Sequence, residues 1–514
     1  MEKLRNVWRE TPQIIAATAA LASGILIHAF SLLHFLHNHD SVWQQMSGYG
    51  AGVESGRWML SLLGNVVEKL GFSYSLPVFN GVGFLILLAC AAGLAVSMLR
   101  IRGKISAALL GMLFTAFPSV TSVMFYKFTA VYYGLGLLLA VLAAWVCYRG
   151  RWGIVLAAVC VACSMGIYQA YVPVTISLIV LLLLKQALAG ENSALEILFR
   201  GLYGCGALLL GVVLYFCALK GCLVLYHTQL NDYQGINQMG QISLSQIPEL
   251  LVRTYRTFLL LPAEDTWGIA NTGILKVVYL LLELLGLGMV VGIAAAKIRK
   301  LSNLAIVVCL CAVFPAAVNF ITIMCPEGQI HTLMVFGFVW VPAVPVVFAE
   351  DFQKAIPPKR SRLLVRTAYA LMGLLIFCYG YGANVHYSAM YYANRQVENY
   401  CSGLVTQVRM TEGFDTEKKW AFLGDISDPL LNSPWREAMV YGGHCFTNDL
   451  LNQYSRMAWF ENYIGYDIPL ADRQTIDSLA QREDVKQMPC WPDQGSIQVI
   501  GEYVVIKFAE TGNP

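Results

Sequence analysis

Charged side chains are scarce in this sequence. Asp, Glu, Lys and Arg make up 13% of the 514 residues, against about 25% in an ordinary soluble domain. With 57% hydrophobic residues, many in runs near the ~20 residues that cross a bilayer as a helix, a water-soluble fold is excluded. There is no Walker lysine motif and no Gly-x-Gly-x-x-Gly between strand and helix, which argues against a nucleotide site. The connections at 148–153 and 185–200 are too short for a cytosolic nucleotide-sugar domain. Any activated donor must therefore arrive already bound to the membrane. The Cys160-Val-Ala-Cys163 pair lacks a partner pair and sits in an apolar run, so it reads as packing. No internal repeat is evident, and Lys220 and Glu283 are the only obvious charges within spans, which counts against a transporter or flippase. The net charge of +3 gives no reason to expect a nucleic acid partner.

What is present is a series of about eleven apolar runs, near 12–36, 76–99, 105–124, 129–148, 152–170, 171–188, 201–226, 272–296, 303–324, 332–349 and 363–387. The first follows Lys3, Arg5 and Arg9 but is too long for a cleaved signal, so it reads as an uncleaved span. Every second connection is basic: Arg100, Arg102 and Lys104; Arg149 and Arg151; Lys185 and Arg200; Lys297, Arg299 and Lys300; Lys354, Lys359, Arg360, Arg362 and Arg366. By the positive-inside bias these are cytoplasmic. Segments 37–75, 125–128, 227–271, 325–331 and everything after about 388 then face out.

Two outer segments have helical periodicity without the length to span. In 58–70, Trp58, Leu62, Val66 and Leu70 form an apolar stripe; in 246–261, Ile247, Leu250, Leu251, Tyr255, Phe258 and Leu259 do so, opposite Glu249, Arg253 and Arg256. Both read as helices lying on the outer membrane surface, in contact with lipid. From about 391 the chain turns polar. Lys419–Gly424 reads as a strand, and Gln498–Phe508 as a strand pair around Gly501; stretches around 433–441 and 447–462 look helical. The expected architecture is an α-helical polytopic membrane domain over 1–390, followed by a small extracytoplasmic α/β domain over 391–514. Cys445 and Cys490 have the option of pairing there.

The outer segments hold the ionisable groups that suit chemistry. One carboxylate beside several cations is what transfer from a lipid phosphate needs: the carboxylate takes the proton of an attacking hydroxyl, and the cations neutralise charge building on the leaving phosphate. Asp40 is the first candidate for the carboxylate and Glu54 the second. Arg57, Lys127, Arg253, Arg256 and His331 are candidates for the phosphate, with Glu327 nearby in the chain. Tyr126, Tyr168, Gln169, Tyr171, Glu264 and Asp265 are candidates for lining the substrate site. Each has a plainer reading: Asp40 as a helix end, Lys127 as a snorkelling side chain, Arg253 and Arg256 as a solvated helix face, and the tyrosines as an interfacial belt. His34, His37 and His39 approach metal-ligand spacing beside Asp40, but no second cluster completes a site, and no metal is expected.

His39-Asp40, Ser55-Gly-Arg-Trp58, the region of Phe117-Pro-Ser-Val-Thr-Ser, Phe125-Tyr and Tyr132, and Ser164-Met-Gly-Ile-Tyr-Gln-Ala-Tyr171 resemble segments of the bacterial glucosyltransferases of the O-antigen serotype-converting kind. The resemblance covers roughly residues 10–380. It implies a GT-C-like membrane fold, and a polyprenyl-phosphate sugar donor, undecaprenyl-phosphate glucose, used at the outer face of the plasma membrane on a cell-surface glycan acceptor. It also implies that Asp40, in the first outer loop, is the base or key polar residue, and it carries the arginine of Gly-Arg-Trp over as Arg57. Lys127, Arg253 and His331 rest on the residue chemistry alone. Rival readings are a lipid-carrier flippase, an O-antigen ligase or polymerase, and a structural assembly protein.

Overall fold

The structure is a computed structural model that describes residues 11–43, 49–72, 74–231, 245–265, 267–326, 328–426, 441 and 447–509. The described residues are mostly helical, at 73%. Glu327, Cys445 and most of the 433–441 stretch lie outside the described residues. The chain separates into two compact units. The first holds Met1–His34 and Ser47–Asn384, the second Phe35–Met46 and Val385–Pro514.

The first unit is built from α1 (Pro12–Leu33), α2 (Trp58–Lys69), α3 (Pro77–Met98), α4 (Lys104–Ala116), α5 (Pro118–Val123), α6 (Lys127–Cys147), α7 (Gly153–Ile167), α8 (Val172–Ala189), α9 (Ala194–Leu225), α10 (Ile247–Glu264), α11 (Gly273–Lys297), α12 (Leu301–Val318), α13 (Phe320–Met324), α14 (Trp340–Ala355) and the start of α15 (Pro358–Met410). The ends follow local chemistry. Proline stands in the first turn of α1, α3, α5 and α8, where its missing N–H costs nothing. Ser193 and Glu196 close a reciprocal capping box at the start of α9. Gly190 ends α8 at φ 75°.

Among the described residues, nine helices are long and apolar enough to cross a membrane. Two of the expected eleven spans fall short. Residues 152–170 give the 15-residue α7, and 332–349 give two 3₁₀ turns before the 16-residue α14, whose last turns carry Glu350, Asp351 and Lys354. Residues 105–124 form a bent pair, because Pro118 opens a new helix after extended Phe117. The span α4–α5 is 83% buried and Gln169–Ala189 78%, against 17% for α9 and α12. The first two therefore form the centre, and the last two leave their apolar faces uncovered.

Small residues let the central helices approach closely. A Cβ on Gly111 of α4 would overlap the Ala16 carbonyl oxygen of α1. Beside it, Ser23 and Thr115 share a 3.0 Å hydroxyl contact, and the His28 ring meets the Thr115 carbonyl at 2.9 Å. Both of the short amphipathic stretches are helical. On α2, Leu60, Ser61 and Gly64 pack inward, while the stripe of Leu62, Val66 and Leu70 is exposed. On α10, Leu250, Thr254, Phe258 and Leu261 are buried.

The second unit contains a three-stranded sheet, β1 (Lys419–Leu423), β2 (Ile497–Ile500) and β3 (Tyr503–Lys507), in the order β1-β3-β2. The hairpin turns at Gly501, φ 63°, as its sequence predicts. β1 runs parallel to β3, Lys419 opposite Tyr503. Alternation buries both faces: Trp420, Phe422, Val504 and Ile506 pack with Val397, Cys401, Leu404, Trp459 and Phe460, and Ala421, Leu423 and Val505 with Leu479, Val485 and Met488. The stretch 447–462 is helical only in short pieces, Thr447–Leu450 and Arg456–Ala458, before a π-helical turn at Trp459–Ile464.

The close approach at Gly111 gives a direct test. Gly111→Ala should destabilise the protein by about 1–3 kcal/mol, seen as a lowered melting temperature in detergent. Gly288→Ala on α11, where an added Cβ meets nothing within 4 Å, should not lower it.

Candidate functional site

In the first unit the candidate residues gather in two places. The first is built on the turn Gly52–Arg57. Val53–Ser55 is a single 3₁₀ turn, closed by Gly56 at φ 73°. The Arg57 amide donates to the Gly52 carbonyl at 3.1 Å. Arg57 thereby becomes the residue just ahead of α2, half-buried, with its guanidinium carbon 5.2 Å from the Tyr168 ring centroid and 6.0 Å from that of Tyr133. The two rings are themselves stacked at 4.5 Å, and Tyr171 stands edge-on to Tyr168 at 5.3 Å. The planar cation faces π-electron density here.

Gln169 fixes this turn from below. It is 8% exposed, and its side-chain amide donates to the Ser55 carbonyl at 3.0 Å and to the Tyr215 hydroxyl at 3.1 Å. Tyr215 donates in turn to the Gly56 carbonyl at 3.0 Å. Glu54 points elsewhere: it is exposed, accepts from the Thr228 hydroxyl at 3.0 Å, and its carbonyl accepts from the Asn231 amide. Asn231 also reaches the Ser55 hydroxyl at 3.2 Å.

Lys127 is the first residue of α6 and only 5% exposed. A snorkelling lysine would be exposed; this one points its ammonium at the His34 carbonyl, 3.4 Å away. Tyr126, just before it, is half-buried with its ring 6.2 Å from that of Phe128.

The second place is a cavity of about 540 Å³ lined by Arg253, Leu261 and Glu264 of α10 together with Trp267, Gln329 and His331. Arg253 donates to the Pro326 carbonyl at 2.7 Å, and Trp267 Nε1 to that of Ile330 at 3.0 Å. Arg256 pairs with Glu264 at 3.2 Å, both well exposed, a pairing worth under about 1 kcal/mol. Asp265 accepts the backbone amides of Trp267 and Ala270. Burial raises its carboxyl above the usual range, and those amides pull it back. The geometry gives Asp265 the work of holding the 267–270 backbone, on which Trp267 is carried to the cavity wall.

Asp40 lies in the second unit. A reciprocal pair of bonds, each 2.8 Å, between Asn38 and Ser41 fixes its turn. The Asn394 amide brackets His37, accepting from its N–H and donating to its carbonyl. The Asp40 side chain is 41% exposed; its Oδ1 lies 3.4 Å from His39 Nε2 and accepts from the Tyr454 hydroxyl at 3.3 Å. His37 turns instead to the Tyr463 hydroxyl, 3.0 Å away. Among the described residues no three His, Cys, Asp or Glu side chains gather as around a metal ion.

Sequence reading passed over Tyr133, Tyr215, Trp267 and Tyr454. A tyrosine inside an apolar helix is a weak signal for the first two, since its hydroxyl needs a partner when buried. Trp267 follows directly on the Glu264-Asp265 pair and Thr266. Nothing local marks Tyr454.

A family model described as Glucosyl transferase GtrII matches residues 29–341. That span holds every candidate from Asp40 to His331. No curated protein and no solved structure matches the chain.

Gln169→Leu keeps the volume but strands the buried Ser55 carbonyl. A loss of about 1–3 kcal/mol is expected, with faster amide hydrogen exchange across residues 52–57. Unchanged exchange there would show that the turn does not depend on Gln169.

Proposed function

The chain belongs to the GtrII glucosyl transferase family, and we propose that it moves glucose from a polyprenyl-phosphate donor, of the undecaprenyl class, to a hydroxyl of a cell-surface glycan. The reaction takes place at the outer face of a bacterial plasma membrane, with the N-terminus cytoplasmic and the polar C-terminal part extracytoplasmic. The observation that carries this reading is that the family span, residues 29–341, contains both the carboxylate and the cations that such a transfer requires. The alternation of basic connections supports the direction, and the want of any nucleotide motif supports a membrane-borne donor.

In this reaction the acceptor oxygen attacks the anomeric carbon as Asp40 takes its proton. The bond from that carbon to the phosphate oxygen breaks, and its electron pair leaves on the polyprenyl phosphate. A single displacement of this kind inverts the anomeric centre. In the first unit, Arg57 is the leading candidate for the phosphate: its guanidinium is half-buried, held over two tyrosine rings, and its turn is anchored by Gln169. Lys127 is a second cation out of water. The cavity between α10 and residues 328–331 joins Arg253, Glu264 and His331 beside an indole wall, a mix of charge and aromatic surface that suits a sugar phosphate. Glu54, bonded to Thr228, has a supporting part.

Two measurements test this with polyprenyl-phosphate [14C]glucose in membranes. Asp40→Asn should cut kcat about a hundredfold to ten-thousandfold at unchanged expression and melting temperature; full activity would sink the assignment. Arg57→Ala should raise the donor KM more than the acceptor KM. Arg57→Lys should restore little, because an ammonium lacks the planar fork and its stacking.

A further inference from the structure

The surroundings of Asp40 hold more than a base needs. Trp43 and Tyr454 flank it within the second unit, their ring centroids 6.2 Å apart and inclined by 60°. The His39 ring lies 6.0 Å from Tyr454 on another side. Most large aromatics of this unit serve its core: Trp420, Phe422, Trp459 and Phe460 are all buried. Trp43 and Tyr454 do not, at 36% and 54% exposed. Their polar atoms are already engaged within the unit. The Trp43 indole N–H donates to the Tyr454 carbonyl at 2.8 Å, and the Tyr454 hydroxyl to Asp40. With those atoms engaged, the pair offers its exposed ring carbon to a ligand. The platform is held in place: the Asn462 amide donates to the Val42 carbonyl at 3.0 Å, and Asn452 accepts the amides of Tyr454 and Ser455, each at 3.0 Å.

We propose that Trp43, Tyr454 and Asp40 form an acceptor-sugar platform, on which a hexose of the acceptor glycan stacks against the two rings while its hydroxyls donate to the carboxylate. This rests on the proposed function and adds where the acceptor is read. The chemistry fits a sugar on both counts. A pyranose offers an apolar C–H face to an aromatic ring and a rim of O–H donors to an ionised carboxylate, which can only accept. The rings are rigid, so little freedom is lost on binding. A phospholipid headgroup, the other partner that exposed aromatics meet near a membrane, would set its phosphate against the Asp40 charge. Tyr454 also lies beyond residue 341, where the family match ends. Acceptor reading thus draws on a part of the chain that the family model does not describe.

The test uses the full-length protein in detergent, with water-soluble polysaccharide released from the producing cells as acceptor. In the transfer assay, Tyr454→Ala and Trp43→Ala should each raise the acceptor KM about tenfold and leave the donor KM unchanged. Tyr454→Phe, which keeps the ring and loses the bond to Asp40, should give a smaller rise. Trp43→Phe, the variant less prone to misfold, should fall between wild type and Trp43→Ala. An unchanged acceptor KM in all four, with wild type active, overturns the platform. A second arm needs no turnover: equilibrium binding of the same polysaccharide, end-labelled with a fluorophore, should be weakened by the alanine variants. Binding lost in those variants while wild type transfers no glucose would uphold the platform and overturn the proposed reaction. Equal binding by wild type and variants, binding by neither, or displacement of the glycan by phosphatidylglycerol would overturn the platform.

Discussion

A polar atom packed among apolar helices has no water to turn to, so each one must find a partner within the protein or bear the cost of going without. The first unit is arranged around that constraint. Ser164 donates to the Gly136 carbonyl at 2.7 Å, Thr175 to that of Ala140 at 2.8 Å, and Asn319 to that of Thr254 at 3.1 Å. Each bond ties one element to another. Gln169 is the case with the widest reach. Its two amide hydrogens go to Ser55 and Tyr215, and the Tyr215 hydroxyl goes on to Gly56. The turn that places Arg57 is thus set by a side chain far away in the sequence, and the arginine's position over Tyr133 and Tyr168 follows from it.

Where the physics is local, the sequence reads well. The apolar runs became helices, and the 58–70 and 246–261 stripes became α2 and α10, because a 3.6-residue period needs no tertiary information. The strand pair around Gly501 formed because a glycine at positive φ between two β-branched runs has few alternatives. On α10, Arg253 and Glu264 lie on one helical face, so their shared cavity was within reach of the pattern. His331 was not, since it arrives there from another segment. The harder failures are of the same kind. Composition changes near residue 391, yet α15 runs on to Met410, because Val397, Cys401, Leu404 and Val408 give its polar part an apolar stripe to bury under the sheet. The contact between Tyr454 and Asp40 joins residues 414 apart and leaves no trace in any window of the sequence.

Residues 35–46 illustrate what that distance hides. Read along the chain, they are the polar exit of the first span. In the structure they belong with the C-terminal unit, bracketed by Asn394 at His37 and by Asn462 at Val42, with Val42 in the core beside Trp459. The second unit is therefore completed by a piece of chain from the far end of the sequence. The hydrogen bonds that tie this piece to the second unit flank the turn that carries Asp40.

Lys127 carries the constraint to its limit. Its ammonium is nearly sealed from solvent, and it is the first residue of a helix, the end at which the backbone dipole already concentrates positive charge. Desolvation and dipole both work against a cation there. A leucine would fill the same volume with neither penalty. An anion drawn to this point would relieve both, since it would pair with the ammonium and sit at the positive end of the helix dipole. That two separate costs coincide at one residue, and that a single phosphate would offset the pair, is the physical ground for keeping Lys127 among the proposed donor contacts ahead of the exposed Arg256, whose partner Glu264 already satisfies it.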